Sequence, residues 1–295
     1  MLAVQIVQIV FPLFFIAAVG AVYAFKYRPD MAVANATNMN IFVPALAFTA
    51  LVESDADLAS FQPLILGATV VVLGSGLIAW GIARVFEFDI KTFVPPMMFS
   101  NSGNMGLPLL TLTFGPAALP TATILLLVEN TLHFTLGSYM LNKHASLVKH
   151  LFSPLIIATV LALIINAIDM TVNPTVMRPI EMLGQVSIPL MLFSLGTRLA
   201  DANLGEWKIG LVSAVASPVC GIALALMVLP WIELSDMQIG ALILFGSLPP
   251  AVLNFLFAER YQQEPKKVAS IVIFSHLFTL ISLPLTLAYV LPRYS

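Results

Sequence analysis

Charge is what this chain has least of. Of its 295 residues only 9% are charged and 59% are hydrophobic, where a soluble domain carries about 25% charge. That balance excludes a soluble domain with a single anchor and points to a chain that crosses a membrane many times. Cysteine is nearly missing: Cys220 stands alone in an apolar stretch, so an internal disulfide is impossible and the redox compartment is unreadable. No basic run of the kind that grips nucleic acid is present, and the net charge is −2, so no nucleic-acid partner is expected. Enzyme signatures are lacking as well, with no His-Glu-x-x-His metal motif and no Gly-x-Ser-x-Gly elbow. Neither a cofactor nor a metal is expected, and an intramembrane enzyme is a weak alternative.

What is present is apolar sequence in ten segments, at 3–25, 31–52, 62–84, 90–113, 117–141, 151–168, 174–199, 207–230, 237–258 and 267–291. Most approach the roughly 20 residues that cross a bilayer core. Leu2 to Phe25 has no charged region before its apolar run and is too long for a signal-peptide core, so it reads as the first span. Alternate connections collect Lys26 and Arg28; Arg84 and Lys91; Lys143 and Lys149; Arg198 and Lys208; and Arg260, Lys266 and Lys267. The other side holds only Arg178 and Arg293, with Glu53, Asp55 and Asp57 beside the second span. The positive-inside rule then places both termini outside a plasma (inner) membrane.

The fourth segment contains Phe99-Ser-Asn-Ser-Gly-Asn-Met-Gly-Leu-Pro-Leu109. A helix in lipid cannot tolerate such an interruption, because freed backbone groups have no water to bond; the exception is a break buried in protein or lining a cavity. Pro95, Pro96 and Pro108 remove backbone donors, Gly103 and Gly106 allow a turn and close approach, and Asn101, Ser102 and Asn104 can replace lost bonds or meet a solute. The plain alternative is a kinked helix packed through small residues. The ninth segment carries a partner interruption, Ser247-Leu-Pro-Pro-Ala-Val-Leu-Asn254.

Two further matches suggest that the chain is doubled. Val43-Pro-Ala-Leu-Ala-Phe-Thr49 resembles Ile188-Pro-Leu-Met-Leu-Phe-Ser194, and Phe134-Thr-Leu136 recurs as Phe278-Thr-Leu280, at offsets near 145 residues. The expected fold is therefore all-α, with ten transmembrane helices as two inverted five-helix repeats, 1–141 and 151–291, whose interrupted fourth and ninth spans cross. The half-helix amino ends at such a crossing favour a carboxylate without a buried cation, and no lysine or arginine falls deep inside any segment.

The fifth segment holds Glu129, Asn130 and His133, with Glu129 and His133 one turn apart on one face. Glu129 is the one carboxylate placed deep in a span, and such groups mark ion pathways or serve as hydrogen-bonded structure. It is a candidate seat for a coupling ion, H+ or Na+. His276 is alone in its span and reads as packing. Phe48 and Phe193, after Pro44 and Pro189, are candidate walls of the site or ordinary core.

These motifs together resemble the auxin efflux carrier family: Pro-Ala-Leu-Ala-Phe in the second span, Asn-x-Gly-x-x-Gly-Leu-Pro in the fourth, Ile-Pro-Leu-Met-Leu-Phe-Ser-Leu-Gly in the seventh and Leu248-Pro-Pro-Ala-Val-Leu-Asn254 in the ninth. The resemblance, shared more distantly with bile-acid sodium symporters, implies a scaffold of spans 1, 2, 6 and 7. Spans 3–5 and 8–10 would form a mobile unit that works as an elevator. Carried over, Pro108 with Pro249 or Pro250 would make the crossing, and Asn101 and Asn104 would face the substrate; Asn254 in the ninth span is a further candidate substrate contact. The expected function is secondary transport of a small organic anion such as a carboxylate or auxin-like acid; a sensor that binds without flux is the alternative. Glu129 replaces the uncharged glutamine usual in plant members, so the identity of the acid does not transfer. Whether two copies pair as a homodimer stays open.

Overall fold

A computed structural model describes residues 1–54, 58–142, 152–168, 170–200 and 205–294. Asp55, Asp57, Lys143 and Lys149, used above in the charge count, lie outside them. The described chain is helical, with helices α1 (Leu2–Tyr27), α2 (Ala32–Val52), α3 (Gln62–Val85), α4 (Ile90–Met98) and α5 (Leu107–Phe114). There follow α6 (Pro116–Leu141), α7 (Pro154–Ala167), α8 (Pro174–Leu199), α9 (Trp207–Val228), α10 (Asp236–Gly246), α11 (Leu253–Arg260) and α12 (Pro265–Tyr294).

Seven helices among the described residues are long and apolar enough to cross a membrane; α7 and α10 are apolar but shorter. Each of the ten expected segments carries helix, yet three do not hold one long helix. The fourth and ninth are split, as α4/α5 and α10/α11. The sixth is shortened because the Ser153 side chain accepts from the Ile156 N–H and starts α7 only at Pro154. Sequence caps fix other starts: Asp89 accepts from the Thr92 N–H at 3.0 Å before α4, and Ser235 and Gln238 form a reciprocal capping box before α10.

Two sets of helices pack mainly among themselves. In one, α1 lies along the second half of α8, while α2 packs on α7 and on the first half of α8. Small residues permit this: a Cβ on Gly196 would stand 1.8 Å from the Ala17 carbonyl oxygen, and one on Gly20 would stand 2.1 Å from that of Phe193. In the other set, α9 lies between α3, α10 and α12, and α3 packs on α4 and α6. The two sets meet chiefly where α12 and α5 touch α1, where α2 touches α6 and where the first break touches α8.

Candidate functional site

The two breaks are bonded to each other. After α4, Phe99 and Ser100 leave helical geometry, and Ser100 forms an isolated antiparallel bridge with Pro250. The Asn101 N–H donates to the Pro249 carbonyl at 2.7 Å, and the Ala251 N–H donates to the Phe99 carbonyl at 2.8 Å. The Asn254 side-chain amide adds a bond to the same Phe99 carbonyl at 3.0 Å. Pro249 and Pro250 have no N–H to satisfy. The crossing thus solves the problem of a polar backbone at depth by pairing one interruption with the other, where each unpaired group would cost several kcal/mol. Gly106 lets the chains close: a Cβ there would stand 2.8 Å from Leu248 Cδ1. Pro108 lies beyond this crossing, in the first turn of α5, so the meeting point is Ser100–Asn101 with Pro249–Ala251.

A cavity of about 150 Å³ opens beside the crossing, lined among others by Asn101, Asn104, Glu129, Asn130, His133 and Val252. Each half-helix that starts at a break presents its amino end here, through Gly103 and Asn104 on one side and Val252 and Leu253 on the other. First-turn N–H groups have no partner inside their own helix and attract anions. Three helical turns with π geometry, Asn38–Phe42, Ser102–Gly106 and His133–Gly137, also border the cavity. Such turns widen a helix locally and recur at functional sites.

Glu129 and His133 are 2% and 1% exposed. The Ser102 hydroxyl donates to Glu129 Oε2 at 2.8 Å, and Glu129 Oε1 is 3.2 Å from His133 Nδ1. That second contact has the distance of an ion pair but not the alignment of a hydrogen bond, so Oε1 and both imidazole nitrogens have no hydrogen-bond partner. The His133 ring is sandwiched by aromatics, stacked on Phe99 at 4.3 Å and edge-on to Phe257 at 5.0 Å. The carboxylate and imidazole are therefore held close and buried, without a hydrogen bond between them.

Of the expected residues, Asn101, Asn104, Glu129, Asn130 and His133 come together at the cavity, with Ser102 behind Glu129. Asn254 and Gly106 build the crossing and do not line the cavity. Phe48 and Phe193 border neither this cavity nor the larger one beside it; the Phe193 ring packs against Tyr23 at 5.6 Å. Both sit on helices that pack within the α1, α2, α7, α8 set, so their motif reflects helix packing.

Four residues not assigned to the site stand at it. Asn35 and Asn38 line the cavity from α2. His276 bonds to Asn101: its Nδ1 lies 2.7 Å from the Val272 carbonyl and donates there, which leaves Nε2 to accept from Asn101 Nδ2 at 2.9 Å. Arg198, counted above as a loop cation, is half-buried at the end of α8 and lines the cavity. It adds a cation beside the cavity from the end of a span, not from deep inside one. A second cavity of about 660 Å³ shares Asn35, Met39, Arg198, Val252, Leu253 and Leu256 with the first and reaches the exposed Arg28 and Asp30. It is the vestibule of the inner cavity.

Compared with known proteins, residues 143–287 match the family model described as membrane transport protein, the domain of the auxin efflux carrier family. That family consists of transporters, and no curated protein matches the chain.

Proposed function

Because residues 143–287 carry the auxin efflux carrier domain, we propose that this membrane transporter is a secondary carrier of a small organic anion, bound at the crossing of the two breaks. The observation that carries this reading is the bonded pair of interruptions, Asn101 to Pro249 and Ala251 to Phe99, with two half-helix amino ends and the amides of Asn101, Asn104 and Asn130 at one cavity. Amino ends and carboxamides favour an anion in this cavity and can still release it, as a carrier must.

In this reading all ten apolar segments cross the membrane, as two inverted five-helix repeats. The set α1, α2, α7 and α8 is the scaffold, and the remainder moves as an elevator carrying both breaks. Both termini lie outside the inner membrane, and the vestibule at Arg28 opens inward. Glu129 and His133 are the seat of a coupling proton: a carboxylate 3.2 Å from an imidazole can load and release one without desolvating a metal ion.

The test is flux in liposomes. Purified protein should move labelled organic acids, and Asn104→Ala should abolish movement without changing the melting temperature. Asn104 lines the cavity and is only partly buried, so its loss removes little packing. Undiminished flux in that variant moves the site elsewhere; ligand-stabilised melting with no flux makes the protein a sensor. A proton gradient should drive accumulation where a sodium gradient does not, and Glu129→Gln should lose that dependence.

A further inference from the structure

Among the described residues Arg198 is the arginine or lysine that lines the proposed site, and none of them gives it an acid partner. It lies at the carboxyl end of α8, where helix carbonyls favour positive charge, and it lines both the 660 Å³ vestibule and the 150 Å³ cavity. Among the described residues no carboxylate is within ion-pair distance and no hydrogen bond reaches its guanidinium. The charged groups around these cavities are otherwise engaged or distant in role. Asp30 Oδ1 accepts from the Ala32 N–H at 2.8 Å, Arg28 is exposed at the rim, and the Glu129 oxygens face Ser102 and His133. Among the described residues, the cation left at the neck without a carboxylate partner is Arg198. A half-buried guanidinium carries five donors and no acceptor, and its planar fork matches a carboxylate.

Two more donors converge there from other helices. Asn35 on α2 lines both cavities, and its Oδ1 already accepts from the Ser194 hydroxyl, which leaves its NH2 group to donate. Val252 and Leu253, at the amino end of α11, also line both. We propose that Arg198, with Asn35 and the amino end of α11, forms a carboxylate subsite at the neck between vestibule and cavity. It holds the acid group while the remainder of the molecule lies among Asn101, Asn104 and Asn130. The subsite rests on the reading of the inner cavity as the transport site, and it names the group that selects anions. Arg198 and Asn35 belong to one helix set and α11 to the other. A carboxylate at the neck therefore ties the sets together on this face, and it must leave Arg198 before the breaks can slide.

The experiment uses the full chain in lipid nanodiscs, with acetate, propionate and benzoate as probes against chloride at equal ionic strength. Melting temperature should rise by roughly 5 °C at saturating probe. Arg198→Gln should abolish the rise with the probe-free melting temperature unchanged, and Arg198→Lys should keep it at about tenfold weaker affinity. Asn35→Ala should weaken it by about tenfold, and it serves as the second probe if the glutamine variant does not fold. No rise in the natural protein with any of the three acids overturns the subsite. A rise that survives Arg198→Gln but disappears in Asn104→Ala puts the carboxylate at the break, which overturns the subsite and leaves the transport reading standing. A rise that survives both variants overturns both.

Discussion

The first break, Phe99 to Gly106, and the second, Ser247 to Val252, meet at one bridge yet bring different materials to it. The first supplies side chains: Asn101 and Asn104 line the cavity, and Ser102 holds Glu129. The second supplies backbone and apolar wall. Its carbonyl at Pro249 and its N–H at Ala251 bond the first break, while Ser247 turns its hydroxyl back onto the Leu244 carbonyl at 2.7 Å. Ala251, Val252, Leu253 and Leu256 face the cavity without a polar group. Two interruptions that meet need not carry the same chemistry. One interruption can specialise in recognition once the other guarantees the geometry.

The sharpest way to break this division is at the backbone of the second half. Gly246, just before the second break, faces Gly221 of α9, and a Cβ on Gly246 would stand 2.4 Å from the Gly221 carbonyl oxygen. Gly246→Val should cost about 3 kcal/mol or more, with no monodisperse protein recovered by size exclusion. Next comes Asn101→Ala, which removes the partner of His276 but leaves the bridge intact. Acid flux in liposomes should fall by about tenfold to a hundredfold, while the melting temperature drops by only a few degrees. Ser102→Ala takes the donor from Glu129 Oε2 and should cost about 1–3 kcal/mol, with a changed pH dependence of flux as its signature. In the second break, Val252→Ala should leave flux within about twofold, because it trims an apolar wall; a loss as large as that of Asn101→Ala would end the asymmetry.

The smallest effect lies outside the membrane-spanning helices, where Glu264 accepts from Thr92 at 2.7 Å and pairs with Lys267. Partial burial pushes the Glu264 carboxyl up, but the bonds from Lys267 and Thr92 hold it, on balance, below its ordinary value of 4.5. A lowered folded value means that its contribution to stability is present above that ordinary value and is lost as pH falls through the folded one. Glu264→Gln should flatten the acid limb of melting temperature against pH, and an unchanged limb would show the contact to be inert.

Much of this was readable from residue order because lipid enforces it. Asparagine, serine and proline in an apolar segment announce a break, and Glu129 and His133 four residues apart must share a helix face. What residue order hides is partnership across the chain. His276 looked solitary because its partner, Asn101, is 175 residues away. Arg198 passed for a loop cation because its place at the end of a span says nothing of the cavity that reaches it. Phe48 and Phe193 misled because a repeated Pro-and-Phe motif serves helix packing as readily as it serves a site. The split of the ninth segment was expected from Pro249 and Pro250, but the use of Asn254 as a brace on Phe99, away from the cavity, depends on the crossing and is invisible locally.

The bridge at Ser100 and Pro250 also supplies a clock. The amide protons of Asn101 and Ala251 are each held by a carbonyl of the opposite break, so they can exchange with deuterium only when the two interruptions separate. Motions that leave the breaks together leave both amides protected. Their exchange rates would therefore time the opening of the crossing itself, apart from every other motion of the molecule.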